Sequence, residues 1–231
     1  MSSFTGLNEG LFLFLEDLKL NNNRSWFNKN KQRYLDEVVQ PVAELIICVG
    51  GFLPQISSSF VADPKANGGS MFRIYRDIRF SKDKTPYKTH VGCQFRHIAG
   101  RGAHAPGFYI HIEPNTLFVG GGIWLPPSDV LFNIRTAIAR HPDKWKKAAH
   151  GETLQKVFPQ GVAGVKLTRP PSGFSADLPF IEDIKKKSFF VMTKIEKSKA
   201  KSESFMGAIK GTFTSASPVI EFICKALDLP F

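Results

Sequence analysis

The sequence predicts an α+β fold in which a central antiparallel β-meander of four to five strands packs with N-terminal and C-terminal helices. Apolar residues recur at helical spacing towards both ends of the chain, whereas in the middle they alternate with polar residues. Short turns separate the alternating segments, which favours antiparallel pairing of consecutive strands. We expect a single domain over residues 1–231, with helices at about 7–50, the meander at about 72–124 and a helical part at about 128–228.

The first helices are predicted from an apolar stripe that ends at the asparagines of "NNN". The stripe contains Leu11, Phe14, Leu15 and Leu18. Asn23 is placed to cap a second helix, because an asparagine side chain accepts from the free N–H groups of the first turn. Pro41 should kink or divide that helix, and the pair Gly50 and Gly51 should end it.

The meander is predicted from side-chain alternation. Residues 72–80 alternate strictly, with Phe72, Ile74, Arg76, Ile78 and Phe80 on one face. Alternation continues at 89–96 and 108–113, "LFVGGGIW" at 117–124 completes the four-stranded meander, and "SFFVMTKI" at 188–195 is a candidate fifth strand. The turn between the first two segments is the polar stretch "SKDKTPY".

Helices are predicted again after the meander. Ser128 is placed to cap a helix that ends near His141, and a short helix should surround Trp145. The segment "DLPFIEDIKKK" predicts another short helix. The tail from about 201 to 227 predicts one or two helices, with Pro218 at the break.

The chain is strongly basic, and its charge is concentrated in two segments. The formal net charge is +11, which favours phosphate-bearing or other acidic partners. Residues 73–101 carry eight Lys or Arg and two Asp, and residues 185–201 carry seven Lys and one Glu. The remainder of the chain is therefore close to neutral.

The apolar runs, the N-terminal residues and the cysteines together indicate the cellular compartment. The longest apolar runs are shorter than the roughly 18 residues that a membrane helix needs, so we expect no membrane span. The N-terminal "MSSFTGLNEG" lacks the pattern of a secretory signal. Cys48, Cys93 and Cys224 are isolated, which favours free thiols in a reducing cytoplasm over disulfides or a zinc site.

The candidate site is the polar face of the predicted meander. If the strands pair in the expected register, arginine, lysine and histidine side chains lie about 5 Å apart on one face and can hold a phosphate or carboxylate. The candidate ligand-binding residues are Arg73, Arg76, Asp77, Arg79, Asp83, Lys84, Tyr87, Lys88, His90, Arg96 and His111. The alternative is a solvated network in which the aspartates pair with the arginines and function lies in protein contacts.

Three further features leave alternatives open. The glycines of "GGGIW" allow either close backbone approach to an anion or close strand packing. His90, His111 and Glu113 would meet, and could ligate a metal, if their strands align, although their spacing does not require it and no metal is assigned. The second basic segment offers lysines and Phe189 and Phe190 for nucleic acid, or a solvated surface with its phenylalanines in the core.

One long motif resembles a known family. The run Arg73-x-x-Arg76-Asp77-x-Arg79-Phe80-x-x-Asp83-Lys84-x-x-Tyr87 is similar to the signature of the domain-of-unknown-function 2461 family, a mainly bacterial group of conserved hypothetical proteins. "NNNRSWFNKNKQRY", "FYIHIEPNTLFVGGGIWLPP", "IRTAI" and "LTRPPSGF" also resemble that family. The resemblance implies a single domain of this length and brings no activity. Pro171 and Ser172 stand where the family's turn leads us to expect a basic residue.

We therefore expect a cytoplasmic protein that binds a phosphate-bearing ligand, such as a nucleotide, on a basic sheet face built from residues 73–90. The alternatives are a nucleic-acid-binding module, a metal-dependent phosphate hydrolase that uses His90, His111 or Glu113, and a purely structural charged network. The sequence assigns no cofactor, catalytic residue or oligomeric state.

Overall fold

A computed structural model describes residues 4–100 and 104–231. Arg101 of the first basic segment and residues 1–3 of the N-terminal stretch lie outside the described residues. The helices are α1 Glu9–Leu20, α2 Arg24–Lys29, α3 Lys31–Tyr34, α4 Gln40–Ile56, α5 Ser128–Arg140, α6 Pro142–Ala149, α7 Glu152–Val157, α8 Ile181–Ile184, α9 Lys197–Ala200 and α10 Ser204–Ala226. The strands are β1 Val91–Arg96, β2 Gly107–Glu113, β3 Thr116–Ile123 and β4 Phe189–Ile195.

The four strands form one antiparallel sheet in the order β1-β2-β3-β4. Along the chain, helices both precede and follow the strands. This confirms the predicted α+β fold, and the candidate strand at 188–195 is the edge strand β4. Gly92 pairs with His111 and His111 pairs with Phe118, so side chains that share a face can be followed across three strands. Cys93, Ile110 and Val119 fill the middle of the other face and are fully buried.

The buried face of the sheet packs against α10, the longest helix. Phe213 of α10 stacks on Phe108 with ring centroids 4.6 Å apart, and it meets Phe95 edge-on at 5.7 Å. A side chain at Gly121 would meet Ile220 of α10, so glycine there lets helix and strand approach closely. These contacts place the hydrophobic core between the sheet and α10.

The predicted break at Pro218 is wrong, because α10 runs unbroken from Ser204 to Ala226. A proline removes the N–H that would bond to the carbonyl four residues earlier. Here the hydroxyl of Ser217 donates to the carbonyl of Thr214 at 2.8 Å and satisfies that group. The buried face of Phe213, Val219 and Ile220 continues on both sides of the proline.

The N-terminal helices differ from expectation in their boundaries. Asn23 caps α2 as predicted, since its side chain accepts from the N–H of Trp26 at 3.0 Å. A π-helical turn, Leu35–Val39, precedes Pro41, so the chain accommodates the proline in the first turn of α4. The predicted end at Gly50 and Gly51 is wrong, because burial of Phe52 and Leu53 carries α4 on to Ile56.

Residues 72–80 do not form the predicted first strand. They make one isolated bridge to the described part of the chain, between Tyr75 and Tyr87. The carbonyl oxygens that a strand partner would bind accept instead from lysine side chains: Lys88 Nζ lies 2.9 Å from Arg73 O, and Lys84 Nζ lies 2.9 Å from Ile78 O. Phe80, predicted to face the core, is 96% exposed. The basic segment is therefore an irregular loop and not a sheet face.

One helical stretch in the described part of the chain, Lys31–Ile56, is long and apolar enough to cross a membrane by length and composition alone. Core helices of soluble proteins pass the same test. Val42, Leu45, Ile46 and Val49 of this stretch are fully buried against the protein core. This is consistent with the expectation of no membrane span.

Candidate functional site

The face of the sheet opposite α10 carries a cavity of about 650 Å³, which we call the trough. Its walls are mainly aromatic and apolar: Phe72, Tyr109, Phe118, Trp124, Phe190 and Met192. Polar groups enter it from His90, Gln94 and His111. A concave apolar cavity with few convergent polar groups is typical of a small-molecule site, and its volume falls in the usual range of about 300–1,000 Å³.

The trough exists because glycines occupy one outward position of β2, Gly107, and two of β3, Gly120 and Gly122. Gly107 pairs with Gly122, and both line the cavity. Gly120 lies in the next row, between Tyr109 of β2 and Met192 of β4. Side chains of any size at these positions would fill the space between the aromatic walls. The glycines of "GGGIW" also allow close packing of β3 against β4, because an added Cβ at Gly120 would collide with the carbonyl of Val191.

One end of the trough holds the cluster His90, His111 and Glu113, whose candidate ligand atoms all lie within 4.8 Å of one another. Glu113 Oε1 lies 3.0 Å from His111 Nε2 and 3.9 Å from His90 Nδ1. The two imidazole rings lie 4.6 Å apart, centroid to centroid. The strands therefore align as the metal alternative requires, because the pairing of Gly92 with His111 places His90 on the same face.

The surroundings of the cluster determine the protonation of His90 and of its neighbour Tyr109. Burial lowers the pKa of His90 to about 4, and the positive charges of Lys88 and Arg76 act in the same direction. Its imidazole is therefore neutral at physiological pH. Burial also raises the pKa of Tyr109 to about 12, so its phenol stays protonated and lies 3.2 Å from His111 Nδ1. The cluster thus presents the neutral imidazole of His90 beside the side chains of His111 and Glu113.

Several predicted ligand-binding residues lie outside the trough and pair with one another. Arg79 contacts Asp77 at 2.7 Å and this contact lowers the pKa of Asp77 to about 2. Arg76 contacts both Asp83 and Thr85, and it lowers the pKa of Asp83 to about 2. The structure therefore favours, for these pairs, the alternative of a charged network that holds the loop together.

The other predicted residues are distributed over different surroundings. Tyr87 is 3% exposed and stacks on Phe27 at 4.1 Å. With Arg76 it lines a separate cavity of about 310 Å³. Arg96 donates to the carbonyl of Gly68 at 3.2 Å, and Arg73 is exposed.

Of the predicted set, His90 and His111 line the trough. Lys88 lies at the edge of the trough, over the ring of Phe72.

The second basic segment is largely built into the fold. Lys186 is buried and pairs with Asp183, while Lys185 pairs with Glu182 at 2.8 Å. Lys197 and Lys201 both pair with Glu9. Phe189 is fully buried and Phe190 lines the trough. Ion pairs and core packing therefore account for much of this segment.

The sequence predicted no aromatic cavity, although Phe190 was a candidate for contacting nucleic acid. Two signals mark the aromatic walls in the sequence. Phe118 and Phe190 occupy outward positions of their strands, where a solvated sheet would carry polar residues. Glycines then occupy two consecutive outward positions of β3, which is typical of close backbone approach and not of an ordinary half-buried strand.

Residues 10–222 match the model of a protein family described as conserved hypothetical protein (DUF2461). No curated protein matches the chain.

Proposed function

The chain belongs to this DUF2461 family of conserved hypothetical proteins, and from the geometry of the trough we propose that it binds a small aromatic compound carrying a phosphate group, of the nucleotide class. The observation that carries the proposal is the trough itself: aromatic walls around glycines, ending at polar groups beside cationic side chains. An aromatic ring system would bury apolar area and stack against Phe190 and Trp124, whose ring centroids lie 5.1 Å apart at the end of the trough away from His111. The phosphate would lie at the other end, near His90.

Cationic side chains at that end would attract an anion. Burial is the main cause of the lowered pKa of His90, and the charges of Lys88 and Arg76 lower it further, whereas Glu113 acts in the opposite direction. Burial also lowers the pKa of Lys88, an effect to which Arg73 adds, so an anion that approached its ammonium group would relieve an unfavourable environment. Tyr109 and Gln94 supply further polar atoms along the cavity. We therefore retain the predicted phosphate-bearing ligand but propose that it binds in the trough and not on the basic loop.

A thermal-shift series tests the proposal. We expect nucleoside monophosphates to raise the melting temperature in a saturable way, since they bind the folded state alone. The matched nucleosides and inorganic phosphate, each lacking one half of the ligand, should shift it less. Met192→Trp should abolish the shift by filling the trough. Lys88→Met should weaken binding about tenfold or more, the effect of losing one charge-assisted hydrogen bond.

Arg79→Ala is the matched control, because Arg79 is exposed, pairs with Asp77 and does not line the trough. It should bind as the unmodified protein does. Loss of binding in Arg79→Ala together with retention in Met192→Trp would place the ligand on the basic loop and overturn the proposal. A nucleic-acid module would instead prefer oligonucleotides and lose affinity with salt at a slope of about −0.9 per phosphate contact on duplex DNA.

A further inference from the structure

The cluster at the end of the trough has the composition of a metal centre. Two imidazoles and one carboxylate are the ligand set of several catalytic zinc and non-haem iron sites. His111 and Glu113 lie on one face of β2, and His90 immediately precedes Val91, the first residue of β1 and the partner of Ile112. The site therefore rests on the most regular part of the fold.

The distances suit one ion. In a tetrahedral site with bonds of about 2.0–2.1 Å, neighbouring ligand atoms lie roughly 3.3 Å apart. Glu113 Oε1 lies 3.0 Å from one imidazole nitrogen and 3.9 Å from the other. All three candidate ligand atoms fall within 4.8 Å of one another. Small side-chain rotations would bring them to equal distances from a central ion.

Tyr109 orients one of the ligands. Its phenol oxygen lies 3.2 Å from Nδ1 of His111, while Nε2 of the same ring faces Glu113. When Nδ1–H donates to the phenol, Nε2 carries a free lone pair directed at the cluster. Such an outer hydrogen bond fixes the tautomer and ring orientation of metal-ligating histidines. Tyr109 is thus a positioning residue.

From these observations we infer that His90, His111 and Glu113 bind one divalent transition-metal ion of the Zn²⁺ type, with an open coordination position facing the trough. Three protein ligands and an open fourth position are typical of a catalytic metal site and not of a structural one. The anionic group of the trough ligand would take the open position. That role rests on the proposed function, whereas the ion site itself does not.

Calorimetric titration of the EDTA-treated, dialysed protein with ZnCl₂ tests the site. We expect one ion per chain. Glu113→Gln keeps the size of the side chain and should weaken binding about 100-fold or more, because it removes a charged ligand. His111→Ala should do the same, and Tyr109→Phe should weaken binding about 10- to 100-fold, as loss of an outer hydrogen bond does. MgCl₂ should bind far more weakly, since Mg²⁺ prefers oxygen ligands.

His141→Ala is the matched control, because His141 is exposed and lies outside the cluster. It should bind Zn²⁺ as tightly as the unmodified protein. Absence of stoichiometric binding, or unchanged affinity in both Glu113→Gln and His111→Ala with folding verified by circular dichroism, would overturn the inference. Repeating the nucleotide series in EDTA separates the two proposals. If nucleotides bind in the trough but the titration shows no zinc binding, the metal site is rejected and the proposed ligand site stands.

Discussion

Replacing Asp183 by asparagine is expected to lower the free energy of unfolding by about 3–5 kcal/mol, the cost of leaving one member of a buried ion pair without its partner. Asp183 and Lys186 are both buried and contact each other. The carboxylate also accepts from Trp145 Nε1 and His150 Nε2, each at 2.7 Å. Asparagine keeps the shape but leaves the Lys186 ammonium uncompensated. Urea denaturation measures the change.

Glu182→Gln is the control for this experiment. Glu182 is the preceding residue and pairs with Lys166 and Lys185 at the surface, where such pairs contribute about 0–1 kcal/mol. A change of less than 1 kcal/mol in Asp183→Asn, equal to that of the control, would show that the buried network does not stabilise the fold.

The Asp183 network also has a pH dependence of known sign. Burial raises the pKa of Asp183, but contacts with Lys186, Trp145 and His150 outweigh burial, and the net pKa is lowered. A carboxyl with a lowered folded-state pKa stabilises the protein above its ordinary pKa, near 3.8, and this contribution is lost as the pH falls through the folded value. The difference between the unmodified protein and Asp183→Asn should therefore shrink in acid.

The second large effect is expected from Gly122→Ala, which should destabilise the protein by about 3 kcal/mol or more. Gly122 has a φ of +141°, a backbone conformation that residues with a Cβ rarely adopt. An added Cβ would also collide with the carbonyl oxygen of Phe189 in β4. Strain of this kind costs about 1–3 kcal/mol, and overpacking costs a similar amount. Thermal and denaturant unfolding measure the loss.

Gly207→Ala provides the matched substitution. Gly207 lies exposed in α10 and an added Cβ there meets nothing within 4 Å. Because alanine is the better helix former, this change should stabilise the protein by about 0.5–1 kcal/mol. Equal and small effects of the two substitutions would mean that β3 and β4 do not approach as closely as the trough geometry requires.

Much of the fold follows from patterns of side-chain alternation. Strands β1 to β4 were all predicted, because each places apolar residues such as Cys93, Ile110 and Val191 on one face. The segment 72–80 alternates equally well, yet it forms a loop. Its alternation matches the burial of Ile74, which is buried in the loop as it would be in a strand, but not that of Phe80, which is exposed. Alternation does not record whether a neighbouring backbone is available for pairing.

The site was predictable in part, and for a related reason. His90 and His111 are polar residues at outward positions, and alternation places them on one face once the register is known. The binding surface itself depends on Phe118, Phe190 and Met192, which line one cavity only because β4 returns to pair with β3. That pairing joins segments about 70 residues apart, and local patterns do not specify it.

The central claim is that a ligand binds in the trough, and the methionine methyl groups test it most directly. Met192 lines the trough, whereas Met206 lies on α10, which packs on the other face of the sheet. In a protein with ¹³C-labelled methionine methyls, titration with a nucleoside monophosphate should shift the Met192 resonance in a saturable way and leave Met206 unchanged. Saturable binding that moves Met206, or leaves Met192 unmoved, would contradict the account.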